Sequence, residues 1–143
     1  MKIRIIVGSK INSNCLKAMV HEYIKRLSSV VEIEMIDFKP MGNKLKICEK
    51  FMRLSEGFYR VALAIEGKQF DSKSFARWFE EKQNINIAFL IGGAEGLSDV
   101  LKKKCNELFS LSKLTFAHEL ALLLLSEQIY RSYTIMKGHP YHK

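Results

Sequence analysis

The sequence predicts an α/β protein, a mostly parallel sheet covered by helices on both faces. Three observations carry this. Strand-like and helix-like segments alternate along the whole chain of 143 residues, the pattern of successive βα units. Ile85–Ile91 is apolar at nearly every position and too short for a membrane helix, which marks a strand buried on both faces. That run ends in a loop carrying Gly92, Gly93 and Gly96, and a helix start follows at Ser98. A strand, a glycine turn and a helix N-terminus form the usual ligand-bearing edge of such sheets.

Lys2–Val7 is rich in β-branched residues and stops at Gly8, so it reads as the first strand. Asn12 or Ser13 caps a helix with Leu16, Met19, Val20, Tyr23, Ile24 and Leu27 facing inward at i, i+3, i+4 spacing. Val30–Phe38 alternates Val31, Ile33 and Met35 with Glu32 and Glu34, the period of a half-exposed strand near a sheet edge. Lys39–Asn43 contains Pro40 and Gly42 and predicts a turn. Lys44–Ser55 follows as a helix, with Leu45, Cys48, Phe51 and Met52 inward. Its other face carries Lys44, Lys46, Lys50 and Arg53. That face is either simply solvated or a track for RNA phosphates, and the spacing alone leaves both open.

Phe58–Ile65 is a third strand, ending in a turn at Glu66-Gly67-Lys68. Asp71 or Ser72 caps a helix whose Phe75, Trp78 and Phe79 recur at core spacing. The buried strand Ile85–Ile91 comes next, and then a short helix from Ser98 to Asn106 with the run Lys102-Lys103-Lys104. Leu108–Leu111 is a last short strand and 110–118 is mostly loop. The final helix spans about Glu119–Met136. Its Leu120–Leu125 segment is apolar on every side and predicts burial all round, which implies a second subunit over one face. Gly138 ends that helix.

A chain of this length fits one domain with a real core. Hydrophobic residues make up 48%, against disorder, and the net charge of +8 favours an anionic partner such as nucleic acid. Cys15, Cys48 and Cys105 are odd in number, far apart, and form no ligand spacing with the four histidines. They read as free buried thiols in a reducing cytoplasm, with no metal site. The N-terminus lacks the pattern of a signal peptide, and no run is long enough to span a bilayer. A nucleophile elbow, a Walker loop and the zinc-hydrolase motif are all missing.

Four stretches stand in order: Ile91-Gly-Gly-Ala-Glu-Gly-Leu-Ser98, Leu111-Ser-Lys-Leu-Thr-Phe116, Glu127-Gln-Ile-Tyr-Arg131 and Gly138-His-Pro-Tyr-His-Lys143. Together they closely resemble the ribosomal RNA large-subunit methyltransferase H family, within the SPOUT class of α/β-knot methyltransferases. The likeness covers the whole chain, 1–143, as a single SPOUT domain. It implies a C-terminal trefoil knot, a homodimer through the C-terminal helix, and S-adenosylmethionine as cofactor. The implied substrate is a pseudouridine of large-subunit rRNA, methylated at ring nitrogen 3 on the assembled ribosome.

By the same likeness, cofactor contacts fall on Leu63, Gly92, Gly93, Leu111, Ser112, Lys113, Leu114, Thr115 and Phe116. Candidates for the chemistry are His118, Arg131, Tyr141 and His142. Arg131 is also placed to pair with Glu127 one helical turn away. The family usually has proline where Ala94 and Ala117 stand, and arginine where Leu122 stands. Loss of that arginine implies weaker cofactor or partner-subunit contacts. Two other readings follow, a catalytically weak ribosome-binding knot protein and a SPOUT methyltransferase acting on tRNA.

Overall fold

The computed structural model describes residues 1–143. Five strands alternate with five helices: β1 (Lys2–Val7), α1 (Asn14–Leu27), β2 (Glu32–Asp37), α2 (Lys44–Leu54), β3 (Tyr59–Lys68), α3 (Ser72–Glu81), β4 (Ile87–Ile91), α4 (Asp99–Lys103), β5 (Glu107–Phe109) and α5 (His118–Met136). The strand order is β2-β1-β4-β3-β5, and every strand pair is parallel. β4 lies at the centre, and all five of its residues are buried, as its uniformly apolar sequence predicts. β2 forms one edge, which agrees with its alternating glutamates.

The two faces of the sheet have separate cores. Ile3, Ile5, Val7, Val61, Ile87, Phe89 and Ile91 pack against α1, α3 and α5. Ile6, Ala62, Ala88 and Leu90 pack against α2 and α4. Phe75, Trp78 and Phe79 of α3 lie in the first core, and the Trp78 indole donates to Glu107 at 2.8 Å. Helix starts follow the sequence closely: Ser13, Asn43, Asp71 and Ser98 each accept a backbone N–H of the first turn. Gly138 adopts a φ of 67° where α5 stops, a geometry that favours glycine.

Several expectations need correction. The predicted turn at Glu66–Lys68 is strand. β3 runs on to Lys68, with a register shift against β5 after Leu63. A Cβ at Gly67 would sit 2.6 Å from the backbone of Leu108 and Phe109, so only glycine lets the two strands approach this closely. Leu45 is 58% exposed. The buried face of α2 is formed by Ile47, Cys48, Phe51 and Leu54. At about 100° per residue, Leu45 lies roughly a third of a turn away from it. Met19 is likewise exposed, on the rim of the α1 stripe. Cys15 is exposed too; of the three free cysteines only Cys48 is buried. Within one chain α5 has an open side, the side for which the sequence implies a second subunit. Leu122, Leu125 and Ile129 are fully buried, but Leu120 and Leu124 are 48% and 38% exposed. α5 packs between α1 and α3, which leaves one side open.

Candidate active site

Three chain segments meet at the C-terminal ends of β3, β4 and β5 and enclose a cavity of about 310 Å³. Leu63–Glu66 forms one wall, Ile91–Leu97 the second, and Phe109–Ser112 with Leu114–Phe116 the third. Lys102, His118 and Ala121 complete the lining. The volume is at the lower end of the range for small-molecule sites, about 300–1,000 Å³.

The second wall is shaped by glycine. A Cβ at Gly92 would lie 2.3 Å from the carbonyl carbon of Gly96, and one at Gly93 would lie 2.7 Å from the Gly8 carbonyl oxygen. The loop folds onto itself, with Gly96 N–H donating to the Gly93 carbonyl at 3.0 Å, and it presses against the end of β1. At Gly92 and Gly93 the wall is main chain alone, beside Ile91, Ala94, Glu95 and Leu97. The third wall is a loop held by serines. The Ser110 hydroxyl donates to the Ser112 carbonyl at 2.8 Å, and the Ser112 hydroxyl accepts from Leu114 N–H at 3.0 Å. Ser110 N–H donates to the Lys68 carbonyl, which fixes the loop to the extended part of β3. Leu63, Ile65, Leu111 and Leu114 add apolar surface.

One ion pair stands in the lining, Lys102 with Glu66 at 2.8 Å. The Lys102 hydrogen bond holds the Glu66 carboxyl below the ordinary carboxylate value. His118 opens α5, whose N-cap position is Ala117 and makes no side-chain hydrogen bond.

A second cluster lies near the other end of α5. Glu127 is its hub: the Arg131 guanidinium donates to it, and so does the Tyr141 hydroxyl at 3.0 Å. Arg131 also contacts His142 Nδ1 at 3.0 Å and lies over the Tyr141 ring. A guanidinium can only donate, so Nδ1 accepts and a neutral His142 ring carries its proton on Nε2. Tyr141 further meets Tyr130 edge-on and the Tyr23 hydroxyl at 3.4 Å. Burial, then the hydrogen bonds that Tyr141 makes with Tyr23 and Glu127, push its phenol well above the ordinary value. The hydrogen bond to Glu127 likewise raises Arg131. The tail is thus tied down on its own helix rather than loose.

The cavity gathers Leu63, Gly92, Gly93, Leu111, Ser112, Leu114, Thr115, Phe116 and His118; Lys113, on the same loop, does not line it. Arg131, Tyr141 and His142 are brought together, but in the second cluster. His118 and Arg131 are 13 residues apart on one helix, so the two groups are separated by about 20 Å within one chain. Leu122 lies in neither, being fully buried in the larger core. Its difference from arginine therefore falls on packing beneath α5. Sequence reading missed Ile65, Glu66, Lys102 and Ser110. Glu66 and Lys102 belong to distant segments, and only their shared place beyond the strand ends hinted at a common site.

No helix is long and apolar enough to cross a membrane. Residues 1–142 match the family model described as predicted SPOUT methyltransferase. Among curated relatives, a protein of Streptococcus thermophilus strain CNRZ 1066 named ribosomal RNA large subunit methyltransferase H is 41% identical over the full length of both chains. One of the same name from Caldicellulosiruptor saccharolyticus is 40% identical over 99% of each. A solved structure of a probable methylase family protein from Haemophilus influenzae superposes with a TM-score of 0.66 at 12% identity, covering 99% of this chain and 70% of the other. The last of these supports the shared fold. The family model and the sequence relatives place this chain in the SPOUT methyltransferases, and among them in the ribosomal RNA large subunit methyltransferase H family.

Proposed function

We propose that the protein methylates large-subunit ribosomal RNA, at ring nitrogen 3 of a pseudouridine on the assembled ribosome, with S-adenosylmethionine as methyl donor. The observation that carries this is the cavity walled by the two loops at 91–97 and 109–116. Its glycine-formed wall offers backbone N–H and C=O groups, its leucines an apolar surface, and its volume suits a nucleoside-sized group. The reading includes a trefoil knot in which the 109–118 segment threads past the 91–97 loop. Its support is that both segments border one cavity while the chain returns from β5 at the sheet edge to α5.

The donor supplies an electrophilic methyl group. The protein's part is to align the accepting nitrogen in line with it and to exclude water. Ring nitrogen 3 carries a proton that must leave. His118, in the cavity lining, is assigned as its acceptor. Tyr141, with its raised pKa, stays a phenol and is a hydrogen-bond donor. Arg131 and the Nε2–H of His142 are donors toward negative charge developing on the ring carbonyls.

The donors and the cavity stand about 20 Å apart on one α5, so one chain does not bring them to one base. A homodimer that pairs α5 helices antiparallel across Leu120 and Leu124 sets the tail of one protomer beside the cavity of its partner. Two experiments test this reading. Calorimetry with S-adenosylmethionine should give a saturable heat, and absence of binding at millimolar donor overturns the enzyme reading in favour of a binding module. Mass spectrometry of rRNA from cells lacking the gene should show one methylpseudouridine lost; a loss from tRNA instead overturns the substrate assignment.

A further inference from the structure

A second concave region lies on the opposite face of the sheet. It is a cleft of about 610 Å³ between α2 and the segment leaving β2, and Lys10, Lys39, Lys46, Lys50 and Arg53 line it alongside Asp37 and Glu49. Lys46, Lys50 and Arg53 recur at i, i+4 and i+7 and share an arc of about 60°, roughly a third of a turn from the centre of the buried face of α2. Lys44 is not on this stripe; it borders an adjoining hollow that also reaches Gly93–Leu97, and Ile47 borders both.

Four of the five cations of this cleft are outside any ion pair. The ion pairs of the chain engage Lys2, Arg4, Lys10, Arg26, Lys102 and Arg131. Lys39, Lys46, Lys50 and Arg53 are in none of them. Asp37 is already occupied, pairing with Lys10 and accepting from Ile11 N–H. Lys50 lies over the Phe38 ring, and Met41 is 72% exposed at the rim. The stripe is also rigidly mounted. Arg4 donates to the Leu54 carbonyl at 2.7 Å. Arg60 donates to the Ser55 hydroxyl at 2.7 Å and to the Met52 carbonyl at 3.2 Å. Both arginines thereby satisfy the free C-terminal end of α2 from the sheet.

We infer that this cleft docks the sugar–phosphate backbone of the RNA substrate, at a distance from the reacting base. The stripe is about 10 Å long, enough to meet roughly three successive phosphates of one strand at about 3.4 Å of advance each. Arg53 adds a planar fork for phosphate oxygens. The inference rests on the RNA-modifying reading above.

The test is filter binding of deproteinised large-subunit rRNA between about 50 and 200 mM salt. It compares the wild-type protein, K46Q/K50Q/R53Q, and a control of equal net charge, K25Q/K73Q/R77Q, altered on α1 and α3. S-adenosylmethionine affinity is measured in parallel. The cleft variant should bind RNA at least tenfold more weakly, and its salt slope should be shallower by about 2 to 3, near 0.7–0.9 per lost phosphate contact. The control and all donor affinities should be unchanged. Wild-type affinity and slope in the cleft variant, or an equal loss in the control, each overturns the inference. Absence of donor binding in all three proteins, with the cleft effect intact, sinks the methyl-transfer reading and leaves the cleft standing.

Discussion

The glycine-walled side of the cavity gives the sharpest prediction, because two glycines can be separated by cause. In Gly92→Ala the new Cβ would lie 2.3 Å from the Gly96 carbonyl carbon and 2.7 Å from its Cα and oxygen. The obstacle is backbone, so the 92–97 loop must move by about 1 Å to restore van der Waals contact. Overpacking of this kind costs about 1–3 kcal/mol. For a chain of this size that lowers Tm by roughly 3–5 °C per kcal/mol. The same shift displaces one wall of the proposed donor site, and S-adenosylmethionine affinity should fall at least tenfold, about 1.4 kcal/mol. Gly57→Ala is the comparison. Gly57 has a φ of 81° with no atom within 4 Å of its added Cβ, and it sits in the connection between α2 and β3. Alanine there costs about 1–2 kcal/mol of left-handed strain without touching the cavity. The assay is calorimetric titration with the donor, paired with thermal unfolding of both variants. If Gly92→Ala binds the donor as tightly as Gly57→Ala at similar stability, the loop is not a wall of the donor site.

Four further outcomes follow from other parts of the molecule. Glu127→Gln frees Arg131 and Tyr141 together; methylation rate should fall by at least tenfold with donor affinity unchanged, and an unaltered rate dismisses the tail cluster. His118→Gln should lower kcat by about 10²- to 10⁴-fold, the usual range for a lost general base. A comparable drop in His142→Gln with none in His118→Gln reverses the two assignments. Leu120→Glu with Leu124→Glu puts charge on the open side of α5; sedimentation should show monomers that bind donor but do not methylate, and an unchanged oligomer refutes that interface. Glu34 tests the acid side of stability. Burial pushes its carboxyl up, but the hydrogen bond from Arg4 and the charge of Lys2 outweigh this, and the net shift is downward. A depressed carboxylate stabilises the fold above its unfolded value and loses that contribution as pH falls through the folded one. At 40% exposure the effect is small, below about 1 kcal/mol. Urea unfolding of Glu34→Gln should therefore be weaker than wild type near neutrality and converge with it below the carboxylate range; a constant gap at all pH values contradicts the sign.

Most of the architecture was legible in the sequence because it follows from local rules. Alternating strand and helix periods, caps read near Ser13, Asp71 and Ser98, and one all-apolar strand determine the element order and the central place of β4. Errors arose where a distant partner decided the outcome. Glu66-Gly67-Lys68 reads as a turn by composition, yet β5 holds it extended, and no local pattern announces β5's backbone at 2.6 Å from Gly67. Met19 lies at the margin of its amphipathic stripe, where a small rotation of the helix on the sheet exchanges inside for outside, whereas Leu45 stands about a third of a turn off the buried face of α2. The glycine loop at 92–96 was readable as a ligand edge from its pattern, but the other walls of the cavity only through family resemblance. Its walls come from three separate segments, and its leucines, taken singly, look like ordinary core. α5 is the most instructive case. Its six apolar residues in a row erase the periodicity that would tell inward from outward, so the sequence alone reads as burial on all sides. The fold resolves the ambiguity into two faces. Leu122 and Leu125 meet the sheet, while Leu120 and Leu124, four residues apart and so on one stripe, are left open. Two leucines on one open stripe form an apolar patch that a second subunit can cover. In the proposed homodimer the partner's α5 covers them, and that contact would join the cavity end of one α5 to the tail end of the other.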